Sequence, residues 1–257
     1  MFKYSAPAFY TVMLADSVYK TLPPGATVVP IIGTSDQTHI SNFSGDNKAW
    51  PVYITLRNFP SAQRNGPGSM AVLLLALLPV LTKFSKSTKA DQYQRQVNAD
   101  TLQDVFEFIF APLQHAALDG VPIDCNYWKV GRCFPILSAW VADYMENVTL
   151  HGLKSNACPT CEVPAEGLGT YIKNYRARDY ARYERYEYEY NQFPGSNSDG
   201  THTKFQCIGI NMGQNVFCGL HRVSVPDLHT PDMLHTVYLG LFKHMMDWIQ
   251  AFLKKHG

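Results

Sequence analysis

Three groups of side chains in this sequence have the types and spacing to do chemistry, and the first is a pair of aspartates. Asp36 follows the apolar run of Val28, Val29, Ile31 and Ile32, and Asp143 follows the apolar run from Phe134 to Ala142. Carboxylates at the ends of adjacent strands can share divalent cations that activate an attacking oxygen and stabilise a leaving one in phosphoryl transfer. Paired metals sit about 3.5–4 Å apart, so the two carboxylates must approach within roughly 4–7 Å. The bland alternative for each residue is a solvated turn aspartate, since many α/β proteins carry acids at strand ends.

The second group is Cys158-Pro159-Thr160-Cys161. Two thiolates at C-x-x-C spacing readily fill two corners of a tetrahedral zinc site. His229 and His235 are the candidates for the other corners, with Cys218, His221 and Cys207 as competitors. A redox dithiol is the rival chemistry, although no thioredoxin-like helix start follows the motif. Two unrelated structural cysteines would look the same in sequence. The third group is Asp232 and His235, whose i,i+3 spacing puts both side chains on one face at the head of a helix. They could bind metal, or Asp232 could cap the helix and orient the imidazole. Lys83, Lys86, Lys89 and Arg95 form a basic stretch that reads either as a solvated connector or as a phosphate-contacting loop. No phosphate-binding glycine loop and no G-x-S-x-G appears, so nucleotide hydrolysis and serine esterase chemistry have no support.

The elements that must position these residues follow from periodicity. Pro30 inside the first apolar run predicts an irregular or near-edge strand. Gly45-Asp46-Asn47 supplies a turn, and Trp50, Val52, Ile54 and Leu56 then alternate with polar or aromatic neighbours, as in a half-buried strand. Met70 to Leu81 is 12 residues of mostly apolar side chains, too short to span a membrane, and reads as a buried helix. Leu102, Val105, Phe106, Ile109, Phe110 and Leu113 recur at helical spacing, so a helix is expected from Asp100, which could cap it, to Leu118. A turn at Asp119-Gly120 leads into a hairpin and then the buried strand that ends at Asp143. The Tyr-, Arg- and Glu-rich segment 170–193 predicts an exposed helix with i,i+4 ion pairs, and base stacking is its minority reading. A helix from Pro231 to Lys255 has Met233, Leu234, Val237, Leu241, Met245, Trp248, Ile249 and Phe252 on its apolar side.

Composition agrees with a folded α/β chain: 257 residues, 46% of them hydrophobic, can bury a core. A formal net charge of +1 leaves no global field favouring nucleic acid, so any DNA contact must be local. Six cysteines, two of them in a C-x-x-C, fit an intracellular protein better than a disulfide scaffold, and no signal peptide is evident.

The blocks LPPGATVVPIIGTSDQTHIS, SGDNKAWPVYITLRN, FPILSAWVADYMENVTLHGLKSNACPTC and DLHTPDMLHTVYLGLFKH occur in that order. Together they resemble the Plavaka-type transposases of fungi. These are relatives of the CACTA (En/Spm) cut-and-paste group, whose catalytic core is a ribonuclease-H-like DDE domain. The resemblance implies an α/β fold, a ribonuclease-H-like mixed sheet flanked by helices, with a helical, zinc-knuckle insertion. It divides the chain into a lead-in at 1–27, a partial catalytic core at 28–157, the knuckle and insertion at 158–228, and the D-x-x-H helix at 229–257. It implies that Asp36 and Asp143 are catalytic acids holding Mg²⁺ or Mn²⁺, with Asp124 a weaker rival for the second place. It also implies structural Zn²⁺ at Cys158 and Cys161, transposon-end and target DNA as partners, a homo-oligomer, nuclear action and no membrane. The group's third acid, usually a glutamate, is expected downstream of His235. The chain is therefore expected to be part of a catalytic domain, incomplete or inactive alone. The alternative is a non-catalytic, zinc-stabilised DNA- or protein-interaction module derived from a transposase.

Overall fold

The computed structural model describes residues 18–40, 48–66, 68–80, 88–125, 129–168, 175–192, 205–211 and 215–256. Lys83, Lys86 and most of the lead-in lie outside the described residues, and of Lys89 only the backbone is described.

A mixed sheet carries the structure. Its path runs β5 (Val72–Leu77), β4 (Pro51–Leu56), β1 (Thr27–Ser35), β7 (Lys129–Ala142) and β6 (Val121–Cys125), and β8 (His229–Pro231) also pairs with β7. Two short strands, β2 (Thr38–His39) and β3 (Lys48–Ala49), form a separate ribbon. β1 is antiparallel to β4 but parallel to β7, and β7 is parallel to β8. β1 is thus a central strand and not an edge. Pro30 is accommodated because the β4 ladder starts at Ile31, beyond the residue that lacks an N–H, and the β7 register shifts between Ile31 and Ile32.

The long helix α1 (Thr88–Asp119) begins before the expected start, so Asp100 lies inside it and does not cap it. Leu102, Phe106 and Phe110, spaced four apart, are buried on one face of this helix. Phe106 and Phe110 meet Trp140 of β7 edge-on, with ring centroids 5.6 and 5.9 Å away, and Phe217 joins them at 5.5 Å from Trp140. α1 ends at Gly120, whose φ of 73° reverses the chain into the β6–β7 hairpin.

Two further expectations change. Residues 72–77 form a strand and not a buried helix, and Val72, Leu73, Leu74, Leu75 and Leu77 are exposed on this edge. An unbroken apolar run carries no period, and six residues extend as readily as they coil. In helix α3 (Tyr180–Gln192), which follows the short α2 (Tyr144–Leu150), Tyr180 and Tyr183 are core residues, so only part of that segment is a solvated face. The C-terminal segment is helical but starts later than the expected Pro231, which closes strand β8; a π-helical stretch Leu234–Phe242 continues into α4 (Lys243–His256). Met233, Leu234, Leu241, Met245, Trp248, Ile249 and Phe252 are exposed on it.

Trp140 lies across Gly33, its partner in the β1–β7 register. A Cβ added at Gly33 would stand 2.3 Å from the indole ring carbons, closer than any real contact. Gly33→Ala is expected to lower stability by about 1–3 kcal/mol through overpacking, read from the urea midpoint at unchanged slope.

Candidate active site at the strand ends

The parallel trio β1, β7 and β8 ends at one edge of the sheet. Thr34 pairs with Val141 and Ala142 pairs with Pro231, so Asp36, Asp143 and Asp232 each follow the last residues of three neighbouring strands. Neighbouring strands lie about 4.7–4.9 Å apart, which brings the backbones carrying Asp36 and Asp143 side by side. Asp36 is exposed and Asp143 half-buried.

Local hydrogen bonds fix Asp143 and Asp232 differently. Asp143 is the N-cap of α2 and accepts a 2.6 Å bond from the amide of Glu146. Asn147, fully buried, donates to the carbonyls of Ala142 and Asp143 and anchors the turn where β7 becomes α2. Asp232 accepts from the amides of Leu234 and His235 and from His235 Nδ1 at 2.5 Å. Burial alone would raise the Asp232 carboxyl, but those amides and the imidazole outweigh it and hold it below the usual carboxylate range. The capping reading of Asp232 and His235 is the observed geometry.

A third carboxylate, Glu146, escaped the sequence reading. Its side chain is buried and accepts hydrogen bonds from Ser35 Oγ and from Trp50 Nε1, the latter at 2.8 Å, while Trp140 Nε1 donates to Ser35 Oγ at 3.1 Å. Burial pushes the Glu146 carboxyl up, the Ser35 and Trp50 hydrogen bonds pull it back, and the Asp143 and Asp36 charges raise it further. The signal available in the sequence was the spacing Asp143-x-x-Glu146, that of an N-cap and an acidic N3 residue. Asp124, the rival for the second acid, is on β6 opposite Val130, at the far end of β7 from Asp143.

Beside these acids opens a cleft of about 980 Å³, bordered by Gln37, Trp50, Arg95, Gln103, Lys154 and Asn156. Its lining mixes apolar side chains and amides with two cations, Arg95 and Lys154, and one acid, Asp100, and runs between α1 and the segment after α2.

The C-x-x-C pair is brought together elsewhere: Cys158 and Cys161 sulfurs are 3.5 Å apart. Burial would raise Cys158, but hydrogen bonds from Thr160 and Cys161 outweigh it and hold that thiol below the usual range, while burial raises Cys161. Buried Arg178 donates from Nε to the Cys158 carbonyl and from Nη2 to the Ile208 carbonyl, tying this knuckle to residues 205–211. Burial raises Cys218, beside Glu184, well above the thiol range; Cys207 is exposed. His229 sits on β8 with its Nδ1 buried and unpartnered among the described residues. No group of three or more His, Cys, Asp or Glu among the described residues is arranged to hold a metal ion.

The family model of Plavaka transposase matches residues 7–249 of the 257. The chain belongs to the Plavaka transposase family. No curated protein gives a match. Plavaka membership implies DNA as a partner and suggests action in the nucleus. Among the described residues no helix is long and apolar enough to cross a membrane.

Behind the strand ends of this Plavaka chain, buried His151 accepts a hydrogen bond at Nδ1 from Asn215 and packs on Phe217. Burial, with the nearby His229 and Arg178, lowers its pKa to about 3. The unfolded chain takes up a proton near pH 6.5 and the folded one does not, so this stability is complete above that pH and is lost as pH falls toward 3. Wild type is expected to lose about 2 kcal/mol more than His151→Gln between pH 7 and pH 5, measured by urea unfolding at both pH values.

Proposed function

We propose that this chain carries part of the catalytic core of a cut-and-paste DNA transposase with a ribonuclease-H-like fold, in which Asp36 and Asp143 hold Mg²⁺ or Mn²⁺. The observation that carries the reading is the emergence of these acids side by side from the parallel strands β1 and β7. The strand order supports it too: three antiparallel strands, β1, β4 and β5, a long helix, then β7 and β8 parallel to the first, with the hairpin strand β6 added antiparallel to β7.

Hard carboxylate oxygens suit these cations, and Mg²⁺ is commonly held by one or two carboxylates with water and substrate phosphate completing the shell. When bound, the metal supplies Lewis acidity at the phosphorus and lowers the pKa of the attacking oxygen. The chain's own part is positional. Asp143 is held by the α2 amide, Asp36 follows a strand inside the sheet, and their chain neighbours Gln37 and Met145 line the adjoining cleft. Arg95 and Lys154 on that cleft are suited to phosphates of a DNA strand led toward the acids, and the cleft's neutral amides suit sugar and base edges. Lys154 is steered by Gln206, whose backbone and side-chain oxygens both accept from its ammonium. For zinc, the described residues bring together two thiols and not a closed tetrahedral set, so no step depends on it.

Mg²⁺- or Mn²⁺-dependent nicking of supercoiled DNA is expected to fall by about 100-fold in Asp36→Ala and in Asp143→Asn, about 3 kcal/mol of transition-state stabilisation. Asn at position 143 keeps the helix cap, which separates loss of chemistry from loss of fold. If neither substitution changes nicking or metal affinity, the chain is a non-catalytic interaction module.

A further inference from the structure

Glu146 is near enough to both aspartates to feel their charges, without the three forming a metal group among the described residues. Its side chain turns inward: one oxygen, Oε1, accepts from both Ser35 Oγ, on the residue preceding Asp36, and Trp50 Nε1, on the residue preceding β4. Its backbone amide at the same time holds Asp143 Oδ1. One residue therefore grips both acid-bearing strand ends, β1 through its carboxylate and β7 through its amide. The grip is braced from the core, because Trp140 Nε1 donates to the same Ser35 hydroxyl and Ser35 is only 2% exposed.

We infer that Glu146 is a positioning residue for the Asp36–Asp143 pair, fixing their separation through the Ser35 and Trp50 hydrogen bonds while standing outside the metal's own shell. The inference rests on the metal-binding reading of those two aspartates. Groups that orient metal ligands are typically worth 10- to 100-fold in metal affinity when removed, because an unrestrained carboxylate must be ordered at the moment of binding. Glutamine keeps an oxygen that accepts from Ser35 and Trp50, so it separates orientation from charge.

The test is Mn²⁺ titration of the full chain followed by electron paramagnetic resonance, with thermal unfolding of each variant alongside. Glu146→Ala is expected to weaken Mn²⁺ binding about 10- to 100-fold, and Glu146→Gln to restore it to within a few-fold of wild type. Ser35→Ala is expected to weaken binding in the same direction, and Ser35→Ala combined with Glu146→Ala to be no worse than Glu146→Ala alone, since both break one linkage. Should Glu146→Ala fail to fold, the Gln and Ser35 variants still decide. A Gln variant that binds Mn²⁺ as weakly as a charge-deleted ligand, with Ser35→Ala unaffected, overturns the inference by making Glu146 a direct ligand. Unchanged affinity in a folded Glu146→Ala overturns it as well. Wild-type affinity in Asp36→Asn and Asp143→Asn overturns the metal site beneath it, a different failure from the other two.

Discussion

The indole of Trp140 resting on Gly33 is the contact on which the rest of this structure depends. The ring needs the space a side chain would take, so β1 must present a glycine where β7 presents a tryptophan. Its faces and edges then organise Phe106, Phe110 and Phe217, and through them α1 is docked on the sheet. The same ring sends its one polar group outward to Ser35, the last residue of β1. Hydrophobic packing and the geometry of the acidic edge are thus joined in one side chain. Disturbing the core moves the residue before Asp36, and disturbing the edge strips a buried indole N–H of its acceptor, which costs about 1–3 kcal/mol.

The acidic edge follows from strand direction. Parallel strands end together, so the residues following β1, β7 and β8 collect at one place without any being close in sequence. Three of the acids are then steadied mainly by local donors, with the His235 imidazole also beside Asp232. Asp143 and Asp232 use helix N-termini, and Glu146 uses a serine and a tryptophan. The Plavaka family match gives this edge its context, and Arg95 and Lys154 stand with Asp100 on the adjoining cleft.

Much of the frame was legible in the residues. Alternation located β4, the Asp119-Gly120 turn and hairpin located β6 and β7, and the polar residues ending two apolar runs marked Asp36 and Asp143. What was illegible had physical causes. The run 72–77 lacks a period and became a strand. Asp100 looks like a cap, but the polar turns before it are helical as well, because α1 is anchored further along by Phe106 and Phe110. Glu146 shows a capping pattern locally, yet its side-chain partners lie 96 and 111 residues away, beyond anything spacing reveals. The pairing of β8 with β7, which brings Asp232 to the edge, is likewise a matter of tertiary register.

The crossover between β1 and β7 also sets a clock. Ser35 and Trp140 are 105 residues apart in the chain, and the edge they brace is assembled only when both are present. At a synthesis rate of about 5–20 residues per second, the first acid leaves the ribosome roughly 5–20 s before the second can join it. During that interval the nascent chain has a hydrophobic strand awaiting its parallel neighbour and no paired acids. Parallel, long-range pairing is also slow to form. The acidic edge is therefore absent while the chain is being made, and the paired acids come into being only with the completed fold.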